Sequence, residues 1–337
     1  MASVRTQKPA VLLVNLGTPE SPEPRHVRTF LRTFLSDSRV IEMPKALWQP
    51  ILEGIILRVR PKHSGELYQS VWDLGEVEGS PLAFWSERQL AELQNRLGVE
   101  AHVELAMRYS EPTIPHALSD LRARGFERIL VVPMYPQYSA TTTASIIDEV
   151  ARWLLGQRDQ PEIRTLRSFP ESPAYVQAVA KAVEQYWTEH GQPDFAAGDR
   201  LLLSFHSIPE AMRKAGDPYH DECEASARLI RSALGLQDEY MLTTYQSVFG
   251  PAKWIGPATI DTVGELGAKG VKRVDVVCPG FTADCLETVQ EIDMLNRDTF
   301  LEAGGQEFHY IPWGNGAEPW IDALEYEVRT RLSGWIH

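Results

Sequence analysis

The chain has 337 residues, enough for two domains of average size, each with a core of its own. A formal net charge of −13 and the lack of any Lys/Arg run argue against a nucleic-acid partner, whose phosphates demand a basic face. Cys223, Cys278 and Cys285, three in number and without CxxC or other zinc or iron-sulfur spacing, fit a reduced, cytosolic setting and not a disulfide framework.

The first element is VLLVNL (11–16), whose apolar stretch before Gly17 falls far short of the roughly 18 residues of a membrane span. It reads as a strand and not as a signal peptide. Residues 43–98 then break the pattern, with no convincing strand and an apolar segment, MPKALWQPILEGIILRVRPKH, interrupted by Pro50 and Gly54 and closed by Arg58, Arg60 and Lys62. Two readings stay open for it: a helical insertion packed on the sheet, or an exposed apolar lip that borders a pocket or touches a bilayer peripherally through 43–62.

After the lip, β-rich runs alternate with helical patterns: VELAMRY (103–109), ILVVPMY (129–135) and EIRTLRSF (162–169). Turn residues in FPESP place a domain boundary near 170. The alternation resumes with a helix over 173–191, LLLSFH (201–206), a helix over 220–235, YMLTTY (240–245), VDVVCP (274–279), EFHYIPW (307–313) and a last helix over 320–332. Such alternation predicts an α/β chain of βα units, and eight strands suit two parallel sheets of four. The expected domains are 1–170 with the lip inserted at 43–98, then 171–316, with 317–337 a C-terminal helix packing back on the first domain.

In open α/β sheets, ligands sit beyond the carboxyl ends of the strands, where loops splay and helix N-termini point inward. Those ends carry Leu16, Arg108-Tyr109, Tyr135, His206 and Tyr245-Gln246-Ser247. Singly each is weak, since a lone strand-end histidine is more often a structural residue than a catalytic one. A second concentration is DCLETVQEI (284–292), expected to open a helix. At 100° per residue, Asp284, Glu287 and Glu291 share one stripe. Capping accounts for Asp284 and Glu287 but has no use for Glu291, one turn deeper. An imidazole from His206 facing Glu287 could share a divalent metal or a proton, and nitrogen with oxygen ligands suits a borderline ion such as Fe²⁺ in an open, transient site.

LLSFHSIPE, GDPYHDEC (216–223), YQSVFGPAKWIGPAT (245–259) and VVCPGFTADCLETVQEIDM (276–294) closely resemble ferrochelatases, which insert Fe²⁺ into a porphyrin in the last step of haem synthesis. LLVNLGTPESP (12–22), RTFLSDSRVIEMP (32–44), EGSPL (78–82), MRYSEPTI (107–114) and YPQYSATTTAS (135–145) agree in the same order, so the likeness covers nearly the whole chain.

The resemblance implies two Rossmann-like domains, each a four-stranded parallel sheet flanked by helices, with porphyrin and ferrous iron as partners and the porphyrin in the cleft between the domains. It gives His206 the role of binding metal or accepting a pyrrole proton and makes Glu287 its acidic partner in catalysis and metal binding, with Asp284 and Glu291 an acidic track leading away. Arg108 and Tyr109, Ser80, Trp254, Tyr135 and Leu16 are assigned to the porphyrin. Leu16 stands where the coproporphyrin-using branch has tyrosine, which favours protoporphyrin. Glu78 and IPWGNG (311–316) depart from the family pattern.

No cofactor is expected, since Fe²⁺ is a substrate, and no iron-sulfur cluster. The protein is expected in the cytoplasm or peripheral to the inner membrane, as a monomer or homodimer. A nucleotide-dependent oxidoreductase is disfavoured because no G-x-G-x-x-G follows any strand. A non-catalytic tetrapyrrole carrier and a chelatase for Co²⁺, Ni²⁺ or coproporphyrin III remain as rivals.

Overall fold

All six residues of β1 (Ala10–Asn15, AVLLVN) are buried, as expected of a parallel strand covered on both faces. In the computed structural model, which describes residues 6–250 and 252–336, β1 lies between β2 (His102–Met107) and β3 (Arg128–Pro133), with β4 (Glu162–Thr165) beyond β3. A second sheet repeats the plan, with β5 (Arg200–His206) between β6 (Met241–Gln246) and β7 (Arg273–Val277) and with β8 (Glu307–Tyr310) at the edge. Every pairing in both sheets is parallel. All eight strands read from the sequence are thus present, in two sheets of four. The edge strands β4 and β8 have four residues each, shorter than the apolar runs that announced them.

Two compact units hold one sheet each: Met1–Ser168 with Leu324–His337, and Phe169–Ala323. In the first, α1 (Pro24–Leu35), α2 (Lys45–Ile51), α3 (Leu57–Val71) and α4 (Pro81–Leu97) separate β1 from β2, and α5 (Ile114–Ala123) and α6 (Ser145–Leu155) follow β2 and β3. Proline in the first turn of α1, α4 and α5 costs no hydrogen bond there, because those N–H groups have no helical partner anyway.

The second unit carries α7 (Pro173–His190), α8 (Glu210–Lys214), α9 (Tyr219–Ala233), α10 (Thr259–Ala268) and α11 (Arg297–Glu302). The change from the second unit back to the first falls inside α12 (Glu318–Leu332), seven residues or more past the 316 read from the sequence. From Leu324 onward α12 is bound into the first unit by apolar burial of Val328 and Leu332 and by Arg329 with Glu100 at 3.0 Å.

The segment 43–98 is helical throughout its first half: a π-helical turn, Leu52–Ile56, joins α2 to α3, so Pro50 and Gly54 bend the segment without ending it. Leu52 and Leu57 face a core shared with Val27, Leu31 and Tyr109. Met43, Leu47, Ile51, Ile55 and Val59, spaced four apart, stay exposed to solvent instead. One face of the segment is thus packed and the other is exposed. No helix among the described residues is long and apolar enough to cross a membrane.

The strand order places a change of direction beside β1 in the first sheet and beside β5 in the second, because the chain departs to opposite sides of those central strands. Ligand sites of doubly wound sheets form at such points, at the carboxyl ends. The residues so placed are Leu16 and Tyr135 in the first unit, and His206 with the loop after β7 in the second.

Candidate active site

His206 ends β5, paired in register with Gln246 of β6. Its Nδ1 lies 2.6 Å from Ser207 O. A carbonyl oxygen only accepts, so Nδ1 carries a hydrogen, and in the neutral ring the lone pair is on Nε2. That tautomer leaves a metal ligand or proton acceptor at the half-buried end of the ring, with Phe281 alongside at 6.5 Å between centroids.

Beyond β7 the acidic segment departs from the expected α-helical stripe. Residues Glu287–Asn296 form a π-helix, a rare form found preferentially at functional sites. In its wider turn, closed by i→i+5 bonds, residues four apart still lie nearly one above the other, so Glu287 and Glu291 remain on one face. Asp284 does not join them, because it precedes the helix and is fixed by other partners.

Its Oδ1 accepts from Tyr310 OH at 2.5 Å and Thr288 Oγ1 at 2.8 Å, and its Oδ2 from Asn315 Nδ2 at 2.7 Å. Asn315 Oδ1 in turn accepts the Asp284 N–H at 2.8 Å. Gly314 makes this turn possible: its φ is +70°, and a Cβ there would lie 2.5 Å from Thr282 O. Burial pushes the Asp284 carboxyl above its ordinary value even though Tyr310, Asn315 and Thr288 all pull it down.

Glu291 is held by one residue. Ser247 donates its N–H to Oε1 at 2.6 Å and its hydroxyl to Oε2 at 2.5 Å. To do so Ser247 adopts φ +63°, a left-handed conformation that costs a non-glycine residue of order 1–3 kcal/mol. Burial raises the Glu291 carboxyl; the Ser247 bonds and the His206 ring oppose the rise, and neighbouring Glu287 adds to it. His206, Glu287 and Glu291 thus form one electrostatic group.

Gln246 completes the support: Nε2 donates to Glu287 O at 2.7 Å, while Oε1 accepts from Ser204 Oγ at 2.8 Å. Trp254 lies on the loop bound to the His206 turn through Ile255 N–H to Ile208 O at 3.0 Å. It is half-buried, its ring 5.0 Å from exposed Phe249.

The candidate residues of the first unit gather at the ends of β1 and β2. The backbone N–H of Tyr109 donates to Leu16 O at 2.9 Å and that of Arg108 to Asn15 O at 2.8 Å. Leu16 is half-buried against an apolar cluster, and Ser80, buried before α4, accepts the Thr18 hydroxyl at 2.8 Å. Tyr135 packs beside the core at the end of β3.

Arg108 donates to Asp37 Oδ2 at 2.8 Å and to Ser145 Oγ at 2.7 Å, and Tyr109, only 3% exposed, donates its hydroxyl to Asp37 Oδ2 at 2.9 Å. Burial of Asp37 disfavours its charge, but Ser145, the Arg39 N–H, Tyr109 and Arg108 together hold the carboxyl below its ordinary value. The structure therefore spends the Tyr109 hydroxyl inside the protein. Arg108 alone of this pair borders a polar cavity of about 320 Å³, with Asp37, Ser36, Ser38, Lys45 and Arg152.

The family model for ferrochelatase matches residues 8–332. The chain belongs to the ferrochelatase family. Membership brings with it the coarse chemistry of metal insertion into a tetrapyrrole. Among solved structures, "SirB from Bacillus subtilis with Fe3+" is similar at 15% identity, with 97% of each chain covered and a TM-score of 0.57. The sirohydrochlorin chelatase SirB from Bacillus subtilis subspecies spizizenii, in complex with cobalt, gives 14% identity over 97% of this chain and 96% of that one, with a TM-score of 0.54. A multi-domain protein from Deinococcus radiodurans with structural similarity to chelatases gives 11% identity and a TM-score of 0.55 over 95% of this chain and 54% of that one. At such identities these likenesses concern the fold.

The sequence reading placed Gln246 and Ser247 at a strand end without giving them a role, and did not single out Asp37, Tyr310 or Asn315. QS directly after a strand and the Gly-Asn pair of IPWGNG were the available signals. Neither the positive φ of Ser247 nor the partner of a buried acid is written in local sequence.

Proposed function

We propose that the protein inserts Fe²⁺ into protoporphyrin IX, giving protohaem and two protons. The observation that supports this most is the meeting, at the change of strand direction in the second unit, of an imidazole with a free Nε2 and two stacked glutamates.

Metal insertion breaks two pyrrole N–H bonds, leaves both electron pairs on nitrogen for the metal, and needs acceptors for two protons. His206 Nε2 and Glu287 receive the ferrous ion in this reading. Glu291 and Asp284, whose carboxyls burial makes more basic, take up protons and pass them outward. Leu16, Tyr135 and Trp254 supply apolar walls for the macrocycle, and Ser80, Arg108 and Tyr109 act on its periphery, Tyr109 by holding Arg108 and Asp37 in place. The three cysteines are buried, and burial raises each thiol, so they take no part as thiolate ligands.

Peripheral attachment to an anionic bilayer in the cytoplasm belongs to the same proposal. It draws on the exposed row Met43, Leu47, Ile51, Ile55 and Val59, with exposed Lys45, Arg58, Arg60 and Lys62 beside it on an otherwise acidic chain. Co-sedimentation with anionic liposomes that weakens when Arg58, Arg60 and Lys62 are replaced by alanine supports it, and equal sedimentation overturns it.

The reaction is tested by absorbance, with the purified protein, Fe²⁺ under anaerobic conditions and, in parallel, protoporphyrin IX and coproporphyrin III. Conversion of the free-base spectrum of protoporphyrin to the metallated one is expected. Faster conversion of coproporphyrin, or of either ring with Co²⁺ or Ni²⁺ in place of Fe²⁺, overturns the specificity, and binding without conversion leaves only a carrier.

A further inference from the structure

Gln246 and Ser247 are consecutive residues at the end of β6, and they grip successive turns of the π-helix. Gln246 holds the backbone at Glu287 O, while Ser247 holds the side chain of Glu291. The grip is rigid at its base, because Gln246 is in register with His206 and its carbonyl accepts the Ser207 N–H at 2.8 Å. The titratable groups acting on Glu291 include His206 from the end of β5, Cys278 following β7, and Glu287 on its own helix.

Both Glu291 oxygens are engaged by donors of one residue. A backbone N–H can only donate, so its bond to Oε1 cannot reverse when the carboxyl is protonated. A hydroxyl can donate or accept. Oε2 is thus the oxygen at which protonation is matched by a reversed bond, since Ser247 Oγ then rotates and accepts from the new O–H. A divalent cation chelated by both oxygens would instead compete with two protein donors already aimed at them.

Resting on the metal-insertion reading above, we propose that Ser247 is a positioning residue that reserves Glu291 for proton transfer and leaves the metal ion to His206 and Glu287. In that step a pyrrole N–H bond breaks, its electron pair stays on nitrogen and goes to the metal, and the proton is received at Glu291 Oε2.

The test compares Ser247→Ala and Ser247→Gly, alone and combined with Glu291→Gln, using Zn²⁺ as probe metal and protoporphyrin. Both serine variants keep the N–H and lose the hydroxyl, and the glycine also relieves the positive φ. Loss of one hydrogen bond to a charged group predicts kcat lower by about tenfold or more in both, with KM for Zn²⁺ unchanged. In the Glu291→Gln background the serine change adds nothing further. Parental kcat in either serine variant, an equal loss without the Glu291 carboxylate, or a rise in the Zn²⁺ KM overturns the role.

A readout independent of turnover is hydrogen exchange at the Ser247 amide, expected to be at least about tenfold faster in Glu291→Ala than in the parent. Equal exchange removes the grip itself. An unmodified protein that inserts no metal removes the reading, and with it the proton-transfer role, while exchange still decides whether Ser247 holds Glu291.

Discussion

The two units share one strand order, but Asp37 of the first and the half-buried Asp284 and Glu291 of the second are treated in opposite ways. In the first, Asp37 is met by the Arg108 guanidinium, two hydroxyls and a backbone N–H, and its carboxyl falls below the ordinary value. In the second, Asp284 and Glu291 receive only neutral donors beyond the His206 ring, and both carboxyls rise. Burial alone does not separate a scaffold from a reaction site. The difference lies in the cation: a carboxylate with an arginine fixed beside it is settled, and one given neutral donors is ready for a proton.

The comparison breaks most directly at His206. His206→Ala is expected to lower metal insertion by roughly 10³-fold or more, since it removes a ligand and proton acceptor at once, while porphyrin binding persists. Absorbance turnover and fluorescence quenching of the bound porphyrin measure the two separately, and ordinary turnover refutes the assignment. Glu287→Gln should cost about 10²-fold and raise KM for the metal, because it removes charge without volume.

Asp37→Ala probes the settled carboxylate and acts on stability. It takes from the Arg108 guanidinium, 10% exposed, its nearer carboxylate and leaves it Glu149 at 3.5 Å and Ser145, and the expected loss is about 1.5–3 kcal/mol by denaturant titration. The sign of its pH dependence is fixed by the lowered carboxyl. Its stabilisation is complete above the ordinary value of 3.8 and fades as pH falls through the lower folded-state value. A variant that unfolds at the parental denaturant concentration would place Asp37 among the unsettled acids.

Most of the fold was legible because each strand is an apolar run and each unit repeats the same βα rhythm; VLLVNL and LLLSFH needed nothing else. His206 was legible as a polar interruption at a strand end, and Glu291 as an acid beyond what a helix N-terminus uses. Asp284 was misplaced because a 100° repeat assumes an α-helix, whereas the segment starts its helix later and as a π-helix, with Asp284 ahead of it and held by Tyr310 and Asn315 from distant sequence. Arg108 and Tyr109 read as a ligand-facing pair, but the Tyr109 hydroxyl is bound to Asp37, some seventy positions earlier, a partner no local pattern announces.

The smallest effect sharpens the contrast from the other side. Glu291→Gln keeps shape and hydrogen bonding, since the amide oxygen accepts the Ser247 N–H and the amide nitrogen donates to Ser247 Oγ, but it removes the charge. A carboxyl raised in the folded state stabilises the fold fully below its ordinary value of 4.5 and loses that contribution as pH climbs through the higher folded-state value. The parent should therefore lose stability relative to Glu291→Gln over that interval. Thermal unfolding of both proteins from pH 4 to 8 measures it. A gap that narrows with rising pH would mean that Glu291 is as settled as Asp37, and the opposition between the two units would be lost.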